Sequence, residues 1–387
     1  MEIAHSLQQI KSSYIREILI AAADKNIISL AGGLPDAKTF PLDLMKATFK
    51  KLTDMPEVFQ YDATIGYAPL LKYLSHYYQL APTHIAMICT GSQQGLDLIA
   101  RAYINPNDCI IMEAPSYLGA MQVFGLVQAN IQTISTTHDG PNVSELEDAF
   151  IKHNPKMFYG VPDFHNPTGI CWSLETRQQV AKLCIQYDVT FIEDAPYREL
   201  RFTGEPLPMV SHFCADNAIV LRSFSKIASP GLRIAAVTAK KSYLEPLLKI
   251  KQGADLHSSV PIQALLLDLL QHPDFPEHIK TIQSLYKKRY HVLFSELKKQ
   301  LPEGCELKPV DGGMFIWLSL PPCDTFALAK TLIKNGVAVV PSPVFYPHPE
   351  NTPSALRLNF TNANSSELRE AVSRLCRVLN ATLISTQ

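Results

Sequence analysis

No run of residues in this chain approaches the length needed to cross a bilayer, about 20 consecutive apolar residues. The start, Met1-Glu2-Ile3-Ala4-His5, lacks the basic-then-apolar pattern of a secretion signal. Neither sign of charge is in excess. The 35 Lys and Arg against 36 Asp and Glu leave −1, no electrostatic footprint for nucleic acid or an anionic membrane. The eight cysteines stand singly, without a CxxC pair, and the twelve histidines form no HExxH. A disulfide scaffold and metal chemistry are therefore not expected, and the cysteines read as small core residues of a reducing, cytoplasmic compartment. Internal repeats and low-complexity linkers are absent too.

What remains is a globular composition, 47% hydrophobic over 387 residues. That length exceeds one ordinary core, so two domains are expected, sequential or interleaved. Up to about Asn26 the chain reads as an arm ending in a helix, with Ile15, Ile18, Leu19 and Ala22 on one face. Ile28–Leu30 then runs into the Gly32-Gly33 turn, where a backbone can approach a ligand closely. From about residue 45, short apolar strands alternate with helices. The strands are predicted at 84–89, 109–112, 130–134, 157–161, 190–192 and 218–221, and the helices at 94–103, 144–153 and 174–187. Such alternation specifies an α/β fold, a mostly parallel sheet with helices on both faces. A long helical region follows from about Val260 through Leu301. Strands at 313–318, 337–340 and 356–360 and a last helix from Ser365 make a smaller α+β unit.

The chemistry gathers at strand ends, where open α/β sheets place ligands. In Ser223-Phe224-Ser225-Lys226-Ile227-Ala228-Ser229-Pro230-Gly231-Leu232-Arg233, a lysine follows the strand 218–221. Partly dehydrated and beside a fixed cation, its amine loses preference for the charged form and can attack a carbonyl. Ser223, Ser225 and Arg233 can hold a phosphate. An aldehyde joined to a phosphate points to pyridoxal phosphate. Thr90-Gly91-Ser92-Gln93-Gln94-Gly95 opens a helix, a natural phosphate cradle. Asn166-Pro167-Thr168-Gly169 offers an amide donor after the strand 157–161. Asp194, at a buried strand end, needs a cation such as a protonated pyridine nitrogen, and Tyr197 follows it. Tyr117 can stack on a ring, and Arg357 in Leu356–Phe360 can fork onto a carboxylate. Each has an ordinary alternative when taken singly. Lys226 suits a surface charge, residues 90–95 a capped helix start, 166–169 a turn, Asp194 a helix cap, and Arg357 an edge-strand charge.

Their joint order resembles the fold-type I pyridoxal phosphate enzymes, specifically the class I/II aminotransferases, over nearly the whole chain. Ile15–Leu19, Ser29–Pro35, Tyr61 with Gly66-Tyr67, Gly91–Asp97 and Lys251–His257 look like the 2-aminoadipate aminotransferases. That group also holds branched-chain, aromatic and kynurenine aminotransferases. The resemblance implies a large cofactor-binding domain at 45–275 and a small C-terminal domain at 276–387. Residues 1–44 would form the arm and part of the small domain.

It implies Lys226 as the Schiff-base lysine, Asp194 as the pyridine-nitrogen partner, and Asn166 with Tyr197 as donors to the ring oxygen. Ser92, Gln93, Ser223 and Arg233 would hold the phosphate, joined by Tyr61 from a neighbouring subunit, and Tyr117 would stack on the ring. Arg357 with Asn166 would take the substrate α-carboxylate, with Gly33 and Arg16 on the substrate side. The implied assembly is a homodimer with shared active sites, acting on an amino acid and a 2-oxo acid such as 2-oxoglutarate. The chain departs from the pattern at His165, usually Gln, at Ala235, usually Gly, and at Ser342, usually Gly, which bears on pocket shape and substrate. Two rival outcomes are a pyridoxal phosphate C–S lyase and a non-catalytic effector-sensing module of a DNA-binding regulator. Against the second, few residues precede the arm and no basic cluster is present.

Overall fold

The structure is a computed structural model that describes residues 2–4, 7, 18, 20, 24, 26–350 and 352–383. In chain order the first strands are β1 (Ile28–Ser29), β2 (His84–Cys89), β3 (Cys109–Ala114), β4 (Asn130–Thr137), β5 (Gly140–Pro141), β6 (Met157–Gly160) and β7 (Thr190–Asp194). They are followed by β8 (Ala218–Ser223), β9 (Ala235–Lys240), β10 (Glu306–Leu307), β11 (Phe315–Ser319), β12 (Val337–Ala338), β13 (Val340–Pro341) and β14 (Ala355–Asn359). The larger sheet has eight strands in the order β2-β9-β8-β7-β6-β3-β4-β5. Its centre, β8-β7-β6-β3-β4, is parallel throughout. Ile110, Phe158, Phe191 and Ile219 in it are buried at 0–1% exposure. Continuous apolar strands of this kind belong to a sheet covered on both faces.

Strand β9 escaped the sequence reading. Ala235-Ala236-Val237-Thr238-Ala239-Lys240 is rich in alanine, which β-propensity disfavours. It nonetheless pairs antiparallel with both β2 and β8 and closes the gap between them. Small residues suit that place because the helix Ser92–Tyr103 lies close. A Cβ added at Gly95 would stand 3.0 Å from Val237 Cγ2 and 2.7 Å from Leu221 Cδ2. Being antiparallel, β9 leaves β2 running in the same direction as β8. The carboxyl ends of β2, β3, β6, β7 and β8 therefore open on one rim.

A second, antiparallel sheet has the order β10-β11-β14-β13. The strand predicted at 337–340 divides: β12 pairs with β1, while β13 pairs with β14. The long helical region also divides, into Val260–Gln271 and Phe275–Gln300, broken at His272-Pro273. A proline lacks the N–H that a continuous helix requires. The β1–β12 pair brings residues 31–33 against the rim of the large sheet, and β14 sets Arg357 between Trp317 of β11 and Val340 of β13. Among the described residues no helix is long and apolar enough to cross a membrane.

Candidate active site

On that rim lies a cavity of about 150 Å³. Nine of the ten residues predicted to hold the cofactor line it. They are Ser92, Gln93, Tyr117, Asn166, Asp194, Tyr197, Ser223, Lys226 and Arg233. A larger cavity, about 520 Å³, lies elsewhere, between Tyr78, Arg222 and Pro208. It contains none of these converging groups, so the chemistry is assigned to the smaller one.

The Ser92 side of the cavity owes its character to local geometry. Gly91 caps the helix Ser92–Tyr103 with φ +80°, and among the described residues no side chain caps the N–H groups of its first turn. That leaves a helix N-terminus open to an anion. A Cβ at Gly91 would overlap the Arg233 guanidinium, so the glycine lets the arginine reach the cradle. Arg233 itself has φ +48° at the end of the short turn Pro230–Leu232. Ser223 and Ser225 are both buried, and the Ser225 N–H donates to Ser223 Oγ at 3.3 Å.

Lys226 donates from Nζ to the Gly33 carbonyl at 2.8 Å. Burial, then the charges of Arg357 and Arg233, pull its amine from 10.5 down to about 8. Asp194 is 3% exposed and takes the Tyr159 hydroxyl on Oδ2 at 2.8 Å, while its buried Oδ1 has no partner among the described residues. Burial lifts its carboxyl to about 6, with the Tyr159 bond opposing. An orphaned carboxylate oxygen costs free energy unless a cation meets it. A protonated ring nitrogen in the cavity is such a cation, so the residues present fit pyridoxal phosphate.

Arg357 donates to Asn166 Oδ1 at 2.7 Å and to the Ala31 carbonyl at 2.6 Å, and its guanidinium lies 4.3 Å over the Phe315 ring. Burial lowers it to about 10, which leaves it charged at neutral pH. Tyr117 donates to Gln93 Oε1 at 3.2 Å, and burial pushes its hydroxyl up to about 12. Burial also holds Tyr197 well above its ordinary value, and its ring meets Phe315 edge-on at 5.9 Å.

Two candidates stand apart. Tyr61 is 78% exposed, against His257 at 5.8 Å and away from this chain's cavity. Arg16 lies outside the described residues. Sequence reasoning missed Tyr159, which lies in the apolar strand β6. A tyrosine hydroxyl on a buried strand requires a partner, and that was the available signal. It also missed Ala31, Phe315 and Phe345, which surround the Arg357 guanidinium.

The departures have local accounts. His165 is buried, with Nδ1 2.9 Å from Thr168 Oγ1, and burial lowers it to about 3 so that it stays neutral. Ala235 sits between Cys89 and Ser223 in the sheet. Ser342 Oγ donates to the Pro353 carbonyl at 2.7 Å and accepts the Ala355 N–H at 3.1 Å, pinning the late loop to β14.

Residues 25–375 match the family described as aminotransferase class I and II. The chain is 33% identical to aromatic-amino-acid aminotransferase 1 of Thermococcus litoralis, covering 95% of this chain and 92% of the relative. It is also 33% identical to 2-aminoadipate transaminase of Thermus thermophilus, covering 97% and 96%. Among solved structures, the α-aminoadipate aminotransferase of Thermus thermophilus, complexed with N-(5'-phosphopyridoxyl)-L-leucine, superposes with TM-score 0.92. Its identity is 32%, with 99% of this chain and 98% of that one covered. With the fold, the lysine amine and the orphaned Asp194 oxygen meeting in one cavity, the chain belongs to the class I and II aminotransferases, pyridoxal phosphate enzymes of fold type I that move amino groups between amino acids and 2-oxo acids.

Proposed function

We propose that the amino donor is an L-amino acid of the 2-aminoadipate, aromatic or branched-chain type and that the acceptor is a 2-oxo acid such as 2-oxoglutarate. The roles rest on one observation: the depressed amine of Lys226 and the unpartnered Asp194 Oδ1 line the same cavity. When bound, pyridoxal phosphate supplies an aldehyde carbon for an amine and an electron sink for charge at the substrate Cα. Lys226 would be the amine that holds the cofactor's aldehyde carbon and, when free, the base for the substrate Cα proton. With its pKa at about 8, a useful share of that amine is neutral at physiological pH. Asp194 keeps a proton on the ring nitrogen, while Asn166 and Tyr197 donate to the ring oxygen. Ser92, Gln93, Ser223 and Arg233 hold the phosphate, and Tyr117 covers the ring face. Arg357 takes the α-carboxylate, held in place by Asn166 Oδ1 and the Ala31 carbonyl.

The exposure of Tyr61 supports a further reading: in a cytoplasmic homodimer it completes the phosphate site of the second copy. The division of the chain at 45 and 276 belongs to the same reading, with 1–44 as arm and part of the small domain. Gly33 and Arg16 are assigned to the substrate side.

A single-turnover absorbance scan of the cofactor-loaded protein against a panel of amino acids tests the donor class. Rapid conversion of 2-aminoadipate, aromatic or branched-chain substrates is the expected outcome. Release of pyruvate and ammonia from cystathionine without an acceptor would instead make the protein a C–S lyase.

A further inference from the structure

Next to the Thr90–Gln94 turn a lysine is buried completely. Lys251, in the helix Lys241–Ala254, has 0% exposure. Its Nζ donates to Asp255 at 2.7 and 2.9 Å, to Ser258 Oγ at 3.1 Å and to Gln94 Oε1 at 3.3 Å. Gln94 Oε1 also accepts the Thr90 N–H at 2.7 Å, and Gln94 Nε2 donates to Asp255 Oδ2 at 2.6 Å. Thr90 Oγ1 and Ser258 Oγ lie 3.1 Å apart. Thr90 and Gln94 bracket Gly91-Ser92-Gln93, and Ser92 and Gln93 line the cavity.

The chain of bonds continues. The Ser258 carbonyl accepts from Gln263 Nε2 at 2.9 Å, and Gln263 Oε1 accepts the Tyr67 N–H at 2.7 Å. A Cβ at Gly66 would stand 2.9 Å from that same oxygen. Gln263 is itself fully buried and so reaches the loop that carries Tyr61.

A stability role alone does not explain this placement. An i,i+4 ion pair forms as readily on a helix surface, and replacing a buried pair by an apolar side chain of like volume is often neutral or stabilising. What the burial of Lys251 does provide is a fixed point between three separate segments. We propose that Lys251 is a positioning residue for the phosphate cradle, and that its ammonium ties the Thr90–Gln94 turn to the 255–258 turn and onward to the loop bearing Tyr61. This rests on the reading of Gly91–Gln93 as the cofactor's phosphate site.

The test uses the full chain carrying Lys251→Met or Gln94→Ala. Cofactor-free protein is titrated with pyridoxal phosphate, followed by visible absorption, and with inorganic phosphate, followed by competition. Thermal unfolding is measured separately. Each variant is expected to raise both dissociation constants about tenfold, the loss of one charge-assisted contact's worth of order. The rate at saturating cofactor stays within about twofold, and the double variant is no weaker than either single one, because both cut the same linkage. A lowered melting temperature with unchanged dissociation constants makes Lys251 a stabilising residue only and overturns the proposal. If Lys251→Met does not fold, Gln94→Ala decides alone. Combining Tyr61→Phe with Lys251→Met tests the reach to the loop: less than additive loss supports it, and full additivity overturns that link. Failure of the wild-type protein to bind pyridoxal phosphate at all would instead remove the underlying cofactor reading.

Discussion

Replacing Asp194 by Asn separates what the carboxylate costs the cofactor-free fold from what it supplies to the reaction. Burial lifts its carboxyl from 3.8 to about 6, the Tyr159 hydroxyl opposing part of the rise. A gap of about two pH decades, at roughly 1.4 kcal/mol each, makes the ionised carboxylate cost about 3 kcal/mol. The direction follows from the two proton affinities. Below pH 3.8 the carboxyl is neutral in both folded and unfolded chains and the cost is absent. As pH rises from there, the unfolded chain releases its proton first, stability falls, and the fall is complete once pH passes about 6. Asn keeps the shape and can still accept from Tyr159, but it cannot ionise. In urea unfolding of cofactor-free protein, Asp194→Asn should gain about 3 kcal/mol over wild type near pH 8 and much less near pH 4. Other titrating groups cancel in that difference. With cofactor bound the same change removes the partner of the ring nitrogen, and single-turnover rates should fall about 10²- to 10³-fold, as for other buried electrostatic contacts. The reasoning fails if wild type and variant share one pH dependence, or if the loaded variant keeps a rate within about tenfold of wild type.

Lys226→Ala should lose the visible absorption of the bound cofactor and transamination together; retained turnover in the purified variant refutes its role. Gly91→Ala would drive a Cβ into the Arg233 guanidinium at φ +80°, so cofactor affinity should drop about ten- to a hundredfold, the worth of one charged hydrogen bond, measured by absorbance titration. Mixing Tyr61→Phe with Lys226→Ala should partly restore activity through subunit exchange, and no recovery on mixing speaks against sites shared between subunits. Arg16→Ala should raise the Michaelis constant for 2-aminoadipate and glutamate by about one to two decades while leaving leucine nearly unchanged. An equal loss for both kinds of substrate assigns Arg16 to the fold.

The central strands and the order of their chemistry were legible in the chain itself. Apolar runs such as Ile110-Ile111-Met112 and Ile219-Val220-Leu221 mark strands buried on both faces. The residues that follow each strand within a few positions are carried to the rim by local geometry alone. Ser223, Lys226 and Arg233 could therefore be grouped from one stretch, and Ser92 with Gln93 from another. Pairings across long separations leave no such local trace. The bond from Arg357 to Asn166 spans 191 positions and that from Lys226 to Gly33 spans 193. Both exist only because β14 and the β1–β12 pair are brought against the rim of the larger sheet. The Tyr159 hydroxyl meets Asp194 only through packing, and β9, too rich in alanine to announce itself, became a strand because β2 and β8 left it a partnered gap. Periodicity records which way a side chain faces along its own strand. Which distant group it meets there is decided by how the sheets and helices pack, a non-local free energy that no short window of sequence contains.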